Sequence, residues 1–173
     1  EPLDVAGMLV TNLLHARYLS GFSGSNAALL VKETSRFLAT DGRYTTQAGE
    51  QCPDWEVVTA RDLTSTLLAQ MSGLRVAFEE AAFNAPALRA LRERAREFGV
   101  ELVATDSIIE DLRLIKDEVE LSSISAACEI TSAAWTQLVA EGLVGRTESD
   151  LAGRLEHLFR LLGAEDRAFE TIV

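Results

Sequence analysis

The sequence predicts an α/β domain, with helices packed on a mixed β-sheet, followed by a helical hairpin. Two observations predict this division. Short apolar segments typical of strands alternate with amphipathic segments typical of helices as far as about residue 112. After Lys116 the apolar residues recur only at helical spacing. We therefore expect a first domain over residues 1–112 and a second, helical segment over residues 113–173.

Three strands and one sharp reversal are predicted near the start of the chain. Residues 5–11 are typical of a buried strand, and residues 12–19 of a short irregular or helical turn. Gly21 and Gly24 indicate a reversal, because only glycine adopts positive φ without penalty. Residues 27–31 and 37–40 then alternate as the two strands of a hairpin.

The rest of the first domain alternates helices with strands. We expect Asp41 to accept hydrogen bonds at the start of one helix and Asp62 to cap the next. Asn84 and Pro86 mark the start of a third helix, and Gly99 marks its end. The remaining strand candidates are residues 55–59, 74–78 and 100–105.

Two apolar stripes define the helical segment. The first stripe runs from Ile124 to Val139. A capping signature at residues 147–150 then begins a second helix, which Gly163 ends. Stripes of this width can cover each other only in part, so the hairpin requires a further apolar surface.

The composition restricts the possible partners. With 27 acidic and 16 basic residues, the formal charge of -11 would repel nucleic acid and anionic membrane faces. No apolar run approaches the roughly 20 residues that span a bilayer, and no secretory signal is visible. Cys52 and Cys128 are the only cysteines, so we expect reduced thiols in a cytoplasm.

No nucleophile, phosphate loop or histidine pair emerges from the motifs. The segment from Gly21 to Ser25 lacks the Gly-x-Ser-x-Gly spacing of a nucleophile elbow. His15 and His157 lie far apart in sequence and form no zinc-binding pair at helical spacing. We interpret His15 as a turn residue and His157 as a solvated helix residue.

The adjacent carboxylates are not predicted to form a metal site either. Glu79-Glu80 and Glu110-Asp111 are sequence neighbours whose side chains point apart, whereas a dimetal site needs converging carboxylates. We interpret them as solvated pairs. A structural role is favoured for Asp41 with Arg43, which could fix a helix start against another segment. No residue of the chain is therefore predicted to be catalytic, cofactor-binding or metal-ligating.

Three segments resemble a known family. RYLSGFSGSN at residues 17–26, followed by DGRY at residues 41–44, resembles the amino-terminal domain of the Xaa-Pro aminopeptidase and prolidase family, the creatinase-like metallopeptidases. RLIKDEVE at residues 113–120 resembles the entry into the family's carboxy-terminal catalytic domain. Residues 169–173 are similar to the first strand of that domain.

The resemblance implies that the parent protein is a metal-dependent exopeptidase that cleaves the bond before proline in short peptides. Its two divalent ions, expected to be manganese, would be held by two Asp, one His and two Glu, all downstream of Val173. This chain would then be inactive alone. It would control active-site access and build homo-oligomer contacts, with the missing carboxy-terminal domain as its partner. Two alternatives stay open: a catalytically inactive creatinase-like module that binds peptides or histones, and a creatine hydrolase.

Overall fold

Alternating apolar residues build a six-stranded sheet in the computed structural model, which describes residues 3–173. The strands occur in the spatial order β4-β3-β2-β1-β5-β6. β2 runs antiparallel to β1 and β3, whereas the β3–β4, β1–β5 and β5–β6 pairs are parallel. This mixed sheet confirms the predicted fold class. The strand bounds are β1 Gly7–Val10, β2 Ala27–Lys32, β3 Arg36–Thr40, β4 Glu56–Thr59, β5 Arg75–Glu79 and β6 Glu101–Thr105.

The helices begin where side chains can cap them. Asn12, Asp62 and Asn84 each accept a hydrogen bond from a backbone N–H in the first turn of the helix that follows. A short 3₁₀ turn, Glu80–Ala82, follows β5. The α-helices are α1 Leu13–Ser20, α2 Thr45–Gln51, α3 Leu63–Ala69, α4 Ala85–Glu97, α5 Ile108–Leu114, α6 Glu118–Ala140 and α7 Glu148–Leu161.

The chain divides into two units, one ending at Leu112 and one from Arg113 to Val173. In the first unit, successive strand residues point to opposite faces of the sheet. Leu9 belongs to the apolar cluster that includes residues of α3 and α4. Val10, the next residue, belongs to the cluster that includes residues of α1, α2 and α5. The sheet therefore has a core on each face.

The second unit is a hairpin of α6 and α7 with a small core. Each helix begins with a reciprocal capping box, formed by Asp117 with Glu120 and by Thr147 with Asp150. The buried apolar residues of this unit are Ala134, Leu138 and Leu158. Several large apolar side chains of α6 are exposed instead: Val119, Leu121, Ile124, Trp135 and Val139. No helix within residues 3–173 is both long enough and apolar enough to cross a membrane.

Three local predictions need correction or completion. Residues 12–19 are not irregular, because the Asn12 cap and Gly21 in the left-handed conformation define a regular helix. The sequence did not predict α5, which is only seven residues long and lacks a strong cap signal. Residues 169–173 form no strand, since a strand needs a pairing neighbour and no strand among the described residues pairs with them.

Asp41 does not cap a helix. α2 begins four residues later, at Thr45, and Tyr44 occupies its cap position. The Asp41 carboxylate instead accepts hydrogen bonds from Asn26 Nδ2 at 2.6 Å and from Arg43 Nη2 at 2.8 Å. Because Asn26 directly precedes β2 and Asp41 directly follows β3, this carboxylate joins the open ends of the two hairpin strands.

Candidate functional site

Three neighbouring parallel strands each deliver one potential ligand to the same edge of the sheet. β1, β5 and β6 lie side by side and run in one direction, so their carboxyl ends meet, where open α/β sheets commonly bind ligands. His15 lies on α1, five residues after β1 ends, and Glu110 lies on α5, five residues after β6 ends. Glu79 is the last residue of β5. One nitrogen or oxygen atom from each of the three side chains lies within 4.8 Å of the others.

Strand alternation explains how Glu79 reaches this group. Phe78 is buried in the cluster formed with α3 and α4, so the next side chain points to the opposite face. That face is covered by α1 and α5, whose buried residues Ala16 and Ile109 belong to its apolar cluster. The same two helices carry His15 and Glu110, each adjacent in sequence to one of these packed residues.

The imidazole of His15 lies between two carboxylates. Its Nδ1 contacts Glu79 Oε1, and its Nε2 lies 3.7 Å from Glu110 Oε1. The side chains of His15 and Glu79 are only 3% and 9% exposed, whereas that of Glu110 is 50% exposed. The second oxygen of Glu79, Oε2, is buried and has no hydrogen-bond partner within residues 3–173. A buried carboxylate oxygen without a partner is costly, so this atom calls for compensation by positive charge or by a donor.

The sequence interpretation was wrong for His15 and Glu79, whereas Glu110 and Asp111 are exposed as predicted. His15 is a buried helix residue rather than a turn residue, because Asn12 starts a full helix upstream of it. Glu79 is not solvated, since it ends a central strand of the sheet. The residues that converge are far apart in the chain rather than sequence neighbours. The available signal was the position of polar residues at or just after three predicted strands.

The other residues weighed from the sequence lie elsewhere. His157 is exposed on α7, as predicted for a solvated helix residue. Cys52 is buried and Cys128 is exposed, and both are free. Burial raises the pKa of the Cys52 thiol, although its hydrogen bond to the Ser20 carbonyl opposes this shift. None of these residues belongs to the cluster of His15, Glu79 and Glu110.

The turn around Asp41 is held by side-chain contacts rather than arranged as an open site. The Arg43 guanidinium, followed by the Asn26 amide, holds the pKa of Asp41 far below its ordinary value. Arg43 also lies over the Tyr44 ring, 5.1 Å from its centroid. The Tyr44 hydroxyl in turn lies 2.6 Å from Ser25 Oγ. With its charges paired inside the turn, this segment serves the fold of the hairpin.

The comparisons with known proteins all indicate the same family. The family described as Creatinase/Prolidase N-terminal domain matches residues 1–115. The uncharacterized peptidase YqhT of Bacillus subtilis strain 168 is 27% identical over 175 aligned positions, which cover 99% of this chain and 49% of that protein.

Two solved structures are also similar. The X-Pro aminopeptidase from Thermotoga maritima MSB8 has a TM-score of 0.87 and 30% identity, covering 97% of this chain and 50% of that one. The amino-terminal domain of the cytoplasmic peptidase PepQ from Mycobacterium tuberculosis H37Rv has a TM-score of 0.59 and 41% identity, covering 63% and 88%. The chain therefore spans about half the length of the longer relatives.

Proposed function

The chain belongs to the Creatinase/Prolidase N-terminal domain family, and from this premise we propose that it is the non-catalytic amino-terminal portion of an Xaa-Pro metallopeptidase. One observation carries the proposal: both units align with an X-Pro aminopeptidase over 97% of this chain, yet they cover only 50% of that enzyme. The proposed parent enzyme removes the residue before proline from short peptides, and its catalytic domain is encoded after Val173.

The exposed face of α6 supports a continuation of the chain. Ile124, Trp135 and Val139 are 47%, 55% and 45% exposed on α6, a long helix that buries only Ala134 and Leu138. Contiguous apolar surface of this kind marks an interaction site. We propose that residues after Val173 cover it, and that the terminal segment around Phe169 and Ile172, also exposed, pairs with the strands they form.

The side chains of this portion do not fit a two-metal hydrolase site. Within residues 3–173, the group of His15, Glu79 and Glu110 is the set that could hold a metal ion, and it contains no aspartate. We therefore derive no hydrolytic step from this chain. The two divalent ions of the parent enzyme, proposed to be manganese, belong to the downstream domain.

The roles proposed for this portion are to limit access to the active site and to provide oligomer contacts in a cytoplasmic enzyme. The α/β unit has a core on both faces of its sheet, and we propose that this packed unit restricts the opening to short peptides. Two free cysteines are compatible with a reducing compartment. In this arrangement the amino-terminal unit selects substrates by size and leaves the chemistry to its partner domain.

The decisive experiment extends the chain. The gene is read beyond the codon for Val173 for two Asp, one His and two Glu. The longer protein is then assayed with manganese on an Xaa-Pro dipeptide and on longer proline-containing peptides. We expect turnover that falls as the peptide lengthens, and none from the 173-residue chain. A matched Asp→Asn variant at one downstream ligand should abolish turnover without changing the sedimentation coefficient.

Other outcomes would contradict the proposal. Proline-peptide hydrolysis by the purified 173-residue chain would show that the catalytic residues lie within it. A downstream sequence without the five ligands would favour a binding module for peptides or histones instead. Equal turnover of dipeptides and long peptides would remove the role in access, and a monomeric full-length enzyme would remove the role in oligomerisation.

A further inference from the structure

We propose that His15 Nε2 and Glu110 bind a divalent transition-metal ion such as Zn²⁺ at the carboxyl edge of the sheet, with Glu79 holding the opposite side of the imidazole. The site is made of residues 15, 79 and 110. It depends only on residues of the first unit, and it stands whether or not the proposed peptidase function is correct.

The spacing between the two ligand atoms favours an intervening ion. His15 Nε2 and Glu110 Oε1 are 3.7 Å apart, which is too long for a direct hydrogen bond. Zinc bonds to imidazole nitrogen and carboxylate oxygen are about 2.0–2.2 Å long, so an ion bound to both atoms would subtend an angle of roughly 125°. That angle is compatible with a tetrahedral site whose remaining positions are taken by water.

Glu79 supplies the orienting contact that such sites use. A metal-bound histidine almost always donates its other ring N–H to a carboxylate or carbonyl, which fixes the tautomer and the ring orientation. Here Nδ1 of His15 contacts Glu79 Oε1 in a buried environment. With the proton on Nδ1, Nε2 carries a lone pair that can bind an ion, and this nitrogen lies 3.7 Å from Glu110 Oε1.

The charge at the site also favours a cation. Glu79 is 7% exposed, and its Oε2 has no hydrogen-bond partner within residues 3–173. Burial of an ionised carboxylate is costly unless opposite charge lies nearby. A divalent ion on the far side of the imidazole would polarise the His15 N–H toward Glu79 and balance both carboxylates. The 50% exposure of Glu110 gives the ion a route from solvent.

The chemistry of the ligands limits the choice of ion. Imidazole nitrogen suits zinc, copper, iron and nickel, whereas magnesium and calcium prefer sites made entirely of oxygen. We therefore expect zinc to bind and magnesium not to compete. In this position the ion would connect α1 and α5 across the end of the sheet, so bound zinc should raise the thermal midpoint of the first unit.

The test is a calorimetric titration of the metal-free 173-residue chain with Zn²⁺ alone. We expect one zinc ion per chain and an unchanged isotherm in a large excess of magnesium. Glu110→Gln should weaken binding by at least the roughly tenfold to hundredfold typical of losing a group that only orients a ligand. Because Glu110 is half exposed, this variant should stay folded. Asp111→Asn, at the adjacent exposed carboxylate, is the matched control and should change affinity less than twofold.

Two further variants exclude binding elsewhere. Cys128→Ser and His157→Asn remove the exposed thiol and the other histidine, and both should leave the stoichiometry at one. In nitrogen-detected NMR spectra, zinc should shift His15 Nε2 strongly while Nδ1 keeps its proton. Absence of stoichiometric binding, binding that survives Glu110→Gln unchanged, or loss of binding in Cys128→Ser would overturn the proposal.

Discussion

The two units of the chain achieve order by different means. In the first unit the sheet carries an apolar cluster on each face, and Leu9, Leu29 and Leu38 are all completely or nearly completely buried. In the second unit two helices enclose Ala134, Leu138 and Leu158, with partly buried neighbours around them. The first unit is therefore stabilised by burial across long sequence separations, and the second has little such burial.

Local interactions contribute a larger share of the stabilisation in the second unit. Both of its helices begin with capping boxes, and Arg154 Nε donates to Glu141 Oε2 at 2.9 Å between α7 and the end of α6. Caps and exposed ion pairs stabilise helices only modestly. The comparison shows that well-formed helices do not require a large core, but that a hairpin of this kind is the part of the chain most dependent on added apolar contacts.

The largest expected effect comes from removing one buried leucine in each unit. Leu38→Ala should lower the free energy of unfolding of the first unit by about 4 kcal/mol, because the surrounding core cannot collapse into the cavity. Leu158→Ala should cost about 2 kcal/mol, since the small hairpin core can close around the missing side chain. Urea unfolding measures both, with Trp55 as the fluorescent probe of the first unit and Trp135 of the second.

Single-tryptophan variants keep the two signals separate. Trp135→Phe leaves Trp55 to follow Leu38→Ala, and Trp55→Phe leaves Trp135 to follow Leu158→Ala. The exposed leucines Leu14 and Leu161, both 65% exposed, are the controls, and their replacement by Ala should change stability by less than about 0.5 kcal/mol. Equal costs for Leu38→Ala and Leu158→Ala would show that the hairpin is packed as tightly as the sheet.

Replacing one glycine in each unit tests the same difference in packing, with smaller expected changes in stability. A Cβ at Gly24 would lie 2.6 Å from Phe22 Cε1, closer still to Phe22 Cζ, and 3.0 Å from Tyr44 Cδ1. Gly24→Ala should therefore destabilise the first unit by about 1–3 kcal/mol through overpacking. A Cβ at Gly153, inside α7, would meet no atom within 4 Å, so Gly153→Ala should stabilise the hairpin by about 0.5–1 kcal/mol through helix propensity.

The measurement is thermal unfolding with the same tryptophan reporters. Gly49→Ala is a control within the first unit, since its Cβ would also meet nothing within 4 Å on α2. It should be neutral or stabilising. If Gly24→Ala proved neutral, the Phe22 ring would have to move aside, and the turn would be looser than its contacts indicate.

The sequence predicted the features that depend on local patterns. Asn84 and Gly99 mark the ends of α4 closely, and the capping signature at Thr147 marks the start of α7, because caps act within one turn. Gly24 lies in the connection between α1 and β2, but not for the predicted reason: it provides space for the Phe22 ring, whereas Gly21 provides the positive φ. The Phe22 ring also packs edge-on against Tyr44, and no local pattern contains that contact.

The candidate site was out of reach for a related reason. His15, Glu79 and Glu110 come together only when β1, β5 and β6 are neighbours in one parallel arrangement, and strand order is not encoded in any short segment. Asp41 was misassigned for the same cause, because its partner Asn26 lies across the hairpin rather than in the next helix. The environment was predicted wrongly for residues whose partners lie far away in the sequence.

The smallest expected effect is on the pH dependence of thermal stability, and it should occur in the first unit but not in the second. The hydrogen bonds from Arg43 lower the pKa of Asp41 from its ordinary value of 3.8 in the folded state. A carboxyl group with a lowered pKa contributes stability above that ordinary value, and the contribution is lost as the pH falls further. Asp41→Asn should therefore lower the thermal midpoint reported by Trp55 at neutral pH, and this difference should shrink as the pH falls below about 4.

The exposed Asp54→Asn is the control, and the midpoint reported by Trp135 should be the same in Asp41→Asn as in the parent chain. A constant difference between Asp41→Asn and the parent at every pH would mean that the variant acts through lost packing rather than through the ionised carboxylate, so that the turn at the hairpin ends would be held by shape alone.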